Sequence, residues 1–235
     1  MEHEEYAEPS GDTPIWRYMN FIKFIAMLER GGLYFSRADL LGDSFEGTFT
    51  PCSTQILIER LGYTKAKAKR WSEIVKHIRK NSYVTCWHEG EHESAALWRH
   101  YGDAVAIRST CGKLRAFLPD YCKIARVRYI DYKNDHPDVN YSAGPLLFKR
   151  HAFAHEHEIR ALWHTFTYEG SRLVPNKHPG FPGEYVEGDL NALIDCMVAA
   201  PQSEQWFIEL VHRVTKRYGL KKICTKSDLD ISPPF

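Results

Sequence analysis

The sequence predicts a single α+β domain, with a mixed or antiparallel central sheet and flanking helices. Three observations lead there. Short runs rich in β-branched and aromatic residues recur along the chain, and between them lie segments whose apolar residues repeat at i, i+3, i+4 and i+7. The two kinds mix without regular βαβ alternation, which argues against a doubly wound parallel sheet. A chain of 235 residues, 43% hydrophobic and 13% aromatic, fills one sizeable core without being long enough to require two.

Residues 1–14 (MEHEEYAEPSGDTP) are acidic and polar, the reverse of a secretion signal. They are expected to form a disordered leader, with the domain spanning 15–235. Ile15–Met19 (IWRYM) reads as the first strand. Asn20 suits an N-cap, and Phe21, Phe24, Ile25 and Leu28 mark one face of a helix that Gly31-Gly32 ends through a left-handed cap. Leu33–Ser36 is a second strand, and Asp39–Gly47 a turn. Helices are expected over Thr54–Leu61 and Lys65–Lys80. The second sets Trp71, Ile74, Val75 and Ile78 inward and carries seven Lys or Arg against one Glu.

Ser82–Trp87 reads as a strand, Glu93–Tyr101 as a helix and Ala104–Arg108 as a strand. Lys123–Tyr132 alternates, with Ala125, Val127 and Tyr129 inward and Arg126 and Arg128 outward, as in a half-exposed strand. A helix is expected over Pro145–Ala154, a strand over Glu158–Phe166 and a surface loop over Gly170–Gly183. A strand near Tyr185, a short helix and a strand at Cys196–Ala199 follow. Ser203 is expected to cap a final helix that buries Trp206, Phe207, Leu210, Val211, Val214 and Tyr218.

Composition narrows the function classes. A net charge of +1 gives no global field toward nucleic acid or membrane, and no apolar run is long enough to span a bilayer, so no membrane partner is expected. None of the six cysteines forms a C-x-x-C pair, so reduced thiols in a cytoplasmic protein are expected, with no zinc ribbon. The basic Lys65–Lys80 segment reads either as a solvated helix face or as a contact surface for nucleic-acid phosphates.

Four clusters could carry chemistry. They are Trp16-Arg17-Tyr18; Ser36-Arg37 with Asp43, Phe45, Glu46 and Gly47; Cys86-Trp87-His88 with Glu93-Ser94 and Trp98–Tyr101; and Lys149-Arg150 with His155-Glu156-His157-Glu158-Ile159-Arg160. On a strand of period two, Glu156, Glu158 and Arg160 share a face, and paired carboxylates perturb one another unless a cation intervenes. The literal H-E-x-x-H at His88–His92 lacks the helical context of a zinc protease, since Gly90 interrupts it after strand-like residues. His151, His155 and His157 match no standard ligand spacing, so no metal is expected.

The blocks IWRYM, LYFSRADLLGDSFEGT, TCWHEGEHESAALWRHYG, KRHAFAHEHEIRAL and KSDL resemble, in that order, the large bacterial family named domain of unknown function 2971. A second resemblance, to the ADP-ribosyltransferase fold, rests on Arg17, Met27–Leu33 (MLERGGL), Ser36 and Glu156-x-Glu158; the Ser-Thr-Ser of that fold has only Tyr83-Val84-Thr85 as a counterpart. This second resemblance implies an enzyme that cleaves NAD, as a transferase or glycohydrolase acting on nucleic acid or protein. A bacterial defence or toxin setting, with an inhibitory or antitoxin partner, would suit that chemistry. Glu158, Glu156, Arg17 and Ser36 would then be catalytic. Arg17, Tyr18, Ser36, Trp87, Trp98 and Tyr101 would hold the dinucleotide, and Asp43, Glu46, Arg150 and Arg160 the substrate. The alternatives are a metal-dependent nuclease using Asp43, Glu46, Glu156 and Glu158, and a non-catalytic nucleic-acid-binding module.

Overall fold

The computed structural model of the protein describes residues 7–59, 62, 64–101, 104–135, 144–169, 172–175 and 181–233. It is one α+β domain built on a mixed, mostly antiparallel sheet of nine strands. Strand β1 (Pro14–Asn20) runs into helix α1 (Phe21–Arg30), and β2 (Gly32–Arg37) returns. Asn20 caps α1 by accepting from the Lys23 amide. Gly31 closes it in the left-handed region at φ 58°. Gly32 has a different reason to be glycine: a Cβ there would sit 2.5 Å from the Val186 carbonyl oxygen on the neighbouring strand.

Next come α2 (Pro51–Glu59), α3 (Lys65–Lys80), β3 (Ser82–Glu89), α4 (Ala95–Tyr101), β4 (Ala104–Thr110), α5 (Cys111–Phe117), β5 (Lys123–Arg126), β6 (Arg128–Ile130) and β7 (Phe148–Arg150). The chain continues through β8 (Glu158–His164), β9 (Phe166–Glu169), β10 (Arg172–Pro175), β11 (Gly183–Glu187), α6 (Leu190–Leu193), β12 (Cys196–Ala199), α7 (Gln205–Arg217) and β13 (Cys224–Thr225). The sheet order is β11-β2-β3-β1-β4-β12-β13, with β8 also paired to β3 and β5 to β8. Among the described residues, β12 and β13 are its one parallel pair. Two small sheets, β9 with β10 and β6 with β7, lie apart from it. No helix among the described residues is long and apolar enough to cross a membrane.

Residues paired across antiparallel strands share a face, and successive residues alternate. One face carries Ile15, Met19, Leu33, Phe35, Tyr83, Trp87, Val105, Ile107, Ile159 and Trp163. Helices α1, α5, α6 and α7 pack their apolar sides there and build the main core. The other face is covered in two places. Ile78 of α3 packs with Ala38, Val84, Leu146, Leu147 and Leu162, and Trp98 of α4 packs with Trp16, Tyr18, Ala104 and Ala106. A cleft opens between these two clusters.

Several sequence expectations need correction. Residues 10–14 do not fray: Gly11 and Thr13 accept from the Gly112 and Cys111 amides at the start of α5, a helix not expected from sequence, and Thr13 is buried. Lys123–Tyr132 is broken after Arg126, because β5 belongs to the main sheet and β6 pairs with β7; Ile124 also faces in. Pro145–Ala154 is no α-helix but two short 3-10 turns flanking β7. Arg172–Pro175, expected as loop, is a strand, while residues 170, 171 and 176–180 lie outside the described set. In α7 the N-cap residue is Glu204; the Ser203 hydroxyl donates instead to the Ala200 carbonyl. Ile208 and Thr215 are buried in that helix, whereas Trp206 and Tyr218 are exposed. That flank of the helix lies at the surface, so apolar periodicity over-counted the buried stripe.

Candidate functional site

The cleft arises from an irregularity in strand pairing. One edge of β3 pairs with β8 throughout Ser82–His88. The other edge is shared. Strand β2 takes Tyr83 and Val84, and β1 takes His88 and Glu89. Thr85, Cys86 and Trp87 lie between, where β1 and β2 have parted. Two cavities of about 600 and 550 Å³ meet at this split and share Tyr18, Leu41, Gly42, Cys86 and Tyr101 as lining.

Arg17 occupies the split. The register Trp16–His88–Glu158 sets those three residues on one face, so Arg17, one residue on, leaves β1 from the opposite face. Its guanidinium donates to the Thr85 hydroxyl and, at 3.0 Å, to the Tyr34 carbonyl, and it lies 5.9 Å from the Trp87 ring centre. Among the described residues it meets no carboxylate. Burial pulls its pKa below the usual guanidinium range. The smaller cavity is lined by Arg17, Ser36, Tyr34, Tyr185 and Lys23. A half-buried cation with no carboxylate beside it among the described residues, at the wall of an open cavity, is the feature that an anionic ligand group would complete.

The larger cavity ends in a buried ion network. Arg160, 1% exposed in its side chain, makes a two-bond fork onto Glu158 at 2.7 and 3.0 Å and also donates to Glu46 and the Leu146 carbonyl. Lys149 reaches Glu156 at 2.5 Å, Glu158 at 3.2 Å and Glu46 at 3.4 Å. Three carboxylates against two cations leave one net negative charge. Glu156, with 25% of its side chain exposed, is the most accessible of the three. His157 makes this possible by adopting the left-handed region at φ 39°. That reversal between the 3-10 turn and β8 lets Glu156 and Glu158 converge on one ammonium, and a non-glycine residue held there is costly enough to suggest that the convergence matters.

The network has an acid signature. Burial alone would raise the Glu158 carboxyl, but Arg160 and Lys149 outweigh it and bring the pKa from 4.5 down to about 2. Burial lowers His164, whose Nδ1 lies 2.6 Å from the Ser82 hydroxyl, from 6.5 to about 4. Both groups titrate lower in the folded state, so both support the fold at neutral pH and lose that contribution on acidification. Melting temperature is therefore expected to fall in two steps: between pH 6.5 and 4 as His164 becomes charged, and between 4.5 and 2 as Glu158 is protonated. His164→Gln should flatten the first step and leave the second. A single step unaffected by that substitution would contradict this assignment.

The residues singled out from sequence divide accordingly. Arg17 and Ser36 line one cavity and Glu156 and Glu158 the other, so they do not share one simple cleft, and Arg17 and Glu158 issue from opposite sheet faces. Glu158 is buried and fully engaged, which fits a support role rather than that of a reacting carboxylate. Asp43, Glu46 and Arg160 are likewise spent: Asp43 is buried and takes a two-bond fork from Arg150 at 2.9 and 3.0 Å. Tyr18 and Tyr101 line both cavities, with their rings stacked at 6.3 Å. Trp87 lines the larger one, and its buried indole N–H has no hydrogen-bond partner among the described residues. Trp98 lines neither; it packs edge-on against Tyr18 at 4.8 Å and gives its N–H to Glu93.

Sequence reasoning set His88 aside with the H-E-x-x-H match. His88 and Glu89 are the last two residues of β3 and point to opposite faces, so no helical pair exists. Glu89 forks with Arg126 at 2.7 and 2.8 Å, whereas the His88 ring lines the larger cavity. Burial lowers its pKa, and its Nδ1 donates to the Glu156 carbonyl at 2.7 Å, leaving Nε2 as an acceptor. Tyr34 and Tyr185 were missed as cavity residues; the only signal for them was their position on strands, whereas Lys149, singled out in the fourth cluster, does lie between Glu156 and Glu158. Neither a family model nor a curated protein matches this chain.

Proposed function

We propose that the split cleft binds a nicotinamide-dinucleotide ligand and cleaves its nicotinamide–ribose bond, as a transferase or glycohydrolase. The observation that carries this reading is the polarity of the joined cavities. At one end is a half-buried guanidinium with no carboxylate beside it among the described residues, and at the other an ion network with one surplus negative charge. A dinucleotide of this kind has the matching polarity: an anionic diphosphate and a cationic pyridinium.

Arg17 would hold the diphosphate, for which a planar fork suits better than an ammonium. Tyr18, Tyr101, Tyr34 and Tyr185 offer ring faces for the bases and line the passage. In the reaction the bond between the ribose carbon and the ring nitrogen breaks, its electron pair leaves with nicotinamide, and positive charge develops on the ribose. Glu156 is the carboxylate placed to stabilise that charge, with Lys149, Glu158 and Arg160 fixing its position. The neutral His88 ring, its free Nε2 acting as acceptor, would take the proton of the attacking water or hydroxyl as the new bond forms.

Glu156→Gln keeps shape and removes charge. It is expected to lower nicotinamide release by about 100-fold or more while leaving dinucleotide affinity within about threefold, because the charge is needed mainly in the transition state. Chromatography of released nicotinamide and a binding titration read the two quantities. Binding without release in the wild-type protein would reduce the cleft to a recognition module. Manganese-dependent cleavage of an oligonucleotide without nicotinamide release would replace the reading with a nuclease.

A further inference from the structure

We infer that the outer face of α3 is a binding surface for single-stranded nucleic acid, running toward the mouth of the cleft. This goes beyond the reaction proposed above and does not depend on it. The chain carries a net charge of +1, yet α3 alone has seven basic residues and one acidic one, a surplus of six. The remainder of the protein therefore has a net charge of −5, so the positive field is gathered onto one helix.

That arrangement works against the helix itself. Lys65 and Lys69, and Lys76 and Lys80, are like charges four residues apart; Lys67 with Arg70, and Lys76 with Arg79, are three apart. Such pairs repel where opposite charges would attract. The first turn holds no acidic residue and carries Lys65 and Lys67 at the positive end of the helix dipole. A merely solvated face gains from interleaved signs, and this one has a single acidic residue, Glu73, set among Lys69, Arg70 and Lys76. An anionic partner removes the repulsion. Lys65, Lys67, Lys69, Arg70, Lys76 and Lys80 are all exposed.

The placement favours a strand of nucleic acid over a lipid surface. The buried side of α3, with Val75 and Ile78, is packed within the domain and cannot enter a bilayer. Its sixteen residues give a basic row roughly 24 Å long. The end of the row reaches the turn at the cleft mouth, where Arg79 side-chain carbons crowd Gly47. On that turn Phe45 is 44% exposed, with the Arg150 guanidinium 4.6 Å over its ring, and its neighbours Asp43 and Glu46 line the larger cavity. A basic track ending at an exposed aromatic ring beside a cation is how sequence-tolerant single-strand sites combine phosphate contact with base stacking.

The test is fluorescence anisotropy with labelled 15-nucleotide single-stranded DNA and RNA over a salt series, without dinucleotide, so that failure here is distinct from failure of the proposed reaction. The wild-type protein is expected to bind with a steep salt dependence. Replacing Lys65, Lys67, Lys69 and Arg70 together by Gln should weaken binding at least tenfold and reduce the slope of log affinity against log salt by about 3, at roughly 0.7 per phosphate contact. Phe45→Ala should weaken binding severalfold with the slope unchanged. Should the fourfold variant fail to fold by circular dichroism, Lys76→Gln with Lys80→Gln reads the same slope at half the size. Absence of wild-type binding at low salt, a slope the variants do not alter, or binding to phosphatidylserine vesicles but not oligonucleotides would each overturn the inference.

Discussion

Arg17→Met is expected to abolish nucleotide binding and at the same time to raise the melting temperature. A half-buried guanidinium with no carboxylate beside it among the described residues costs desolvation energy, and its bonds to Thr85 and the Tyr34 carbonyl repay only part of it. Methionine keeps an unbranched apolar stem against the Trp87 ring and removes the charge. A gain of about 1–2 kcal/mol, or a few degrees in melting temperature, is expected for a chain of this size. Loss of binding should be large, on the order of 100-fold for ADP-ribose, because that anion's partner is gone. Thermal melts with and without ADP-ribose measure both. A variant that melts lower and still binds would make Arg17 a structural residue and remove the basis for the dinucleotide reading.

Arg160→Met should have the opposite character. It strands Glu46 and Glu158 in the interior, each less than 5% exposed in its side chain, with Lys149 left to serve three carboxylates. Breaking one side of a buried ion network costs about 3–5 kcal/mol, so a loss of roughly 10 °C or more is expected. Replacing Glu46, Glu158 and Arg160 together by Met, Gln and Met should recover much of it, because the stranded charges are then gone. Calorimetry of the single and triple variants decides the matter: equal destabilisation in both would show that the network is not held together in this way.

The element order was legible because local rules agree with tertiary packing along most of the chain. Asn20 and Gly31 cap α1 as their chemistry predicts, and the i, i+3, i+4 pattern marks the packed side of that helix. Legibility failed at residues 145–156, where an apolar, helix-favouring composition folds as two 3-10 turns around β7; the pairing of β7 with β6, twenty residues upstream, outweighs local propensity. It failed for the site in a specific way. The charged residues of cluster four were rightly singled out, but which carboxylate stays accessible depends on the left-handed turn at His157, and nothing in a strand pattern of period two foretells that turn. Nor could periodicity show that Arg17 would lie in a gap, since a gap is a property of three strands at once.

The split beside β3 also bears on how this sheet responds to being pulled apart. Within the sheet, the strands β1, β4, β12 and β13 meet β2, β3, β5, β8 and β11 at a short β1–β3 junction: Ile15 pairs with Glu89, Trp16 with His88, and the Gly90 amide donates to the Pro14 carbonyl. A nine-stranded sheet is ordinarily stiff because each strand is stapled along its length. This one has a seam whose open part the Arg17 side chain bridges, so the two halves are held together chiefly by the core they share and by α1, which links β1 to β2.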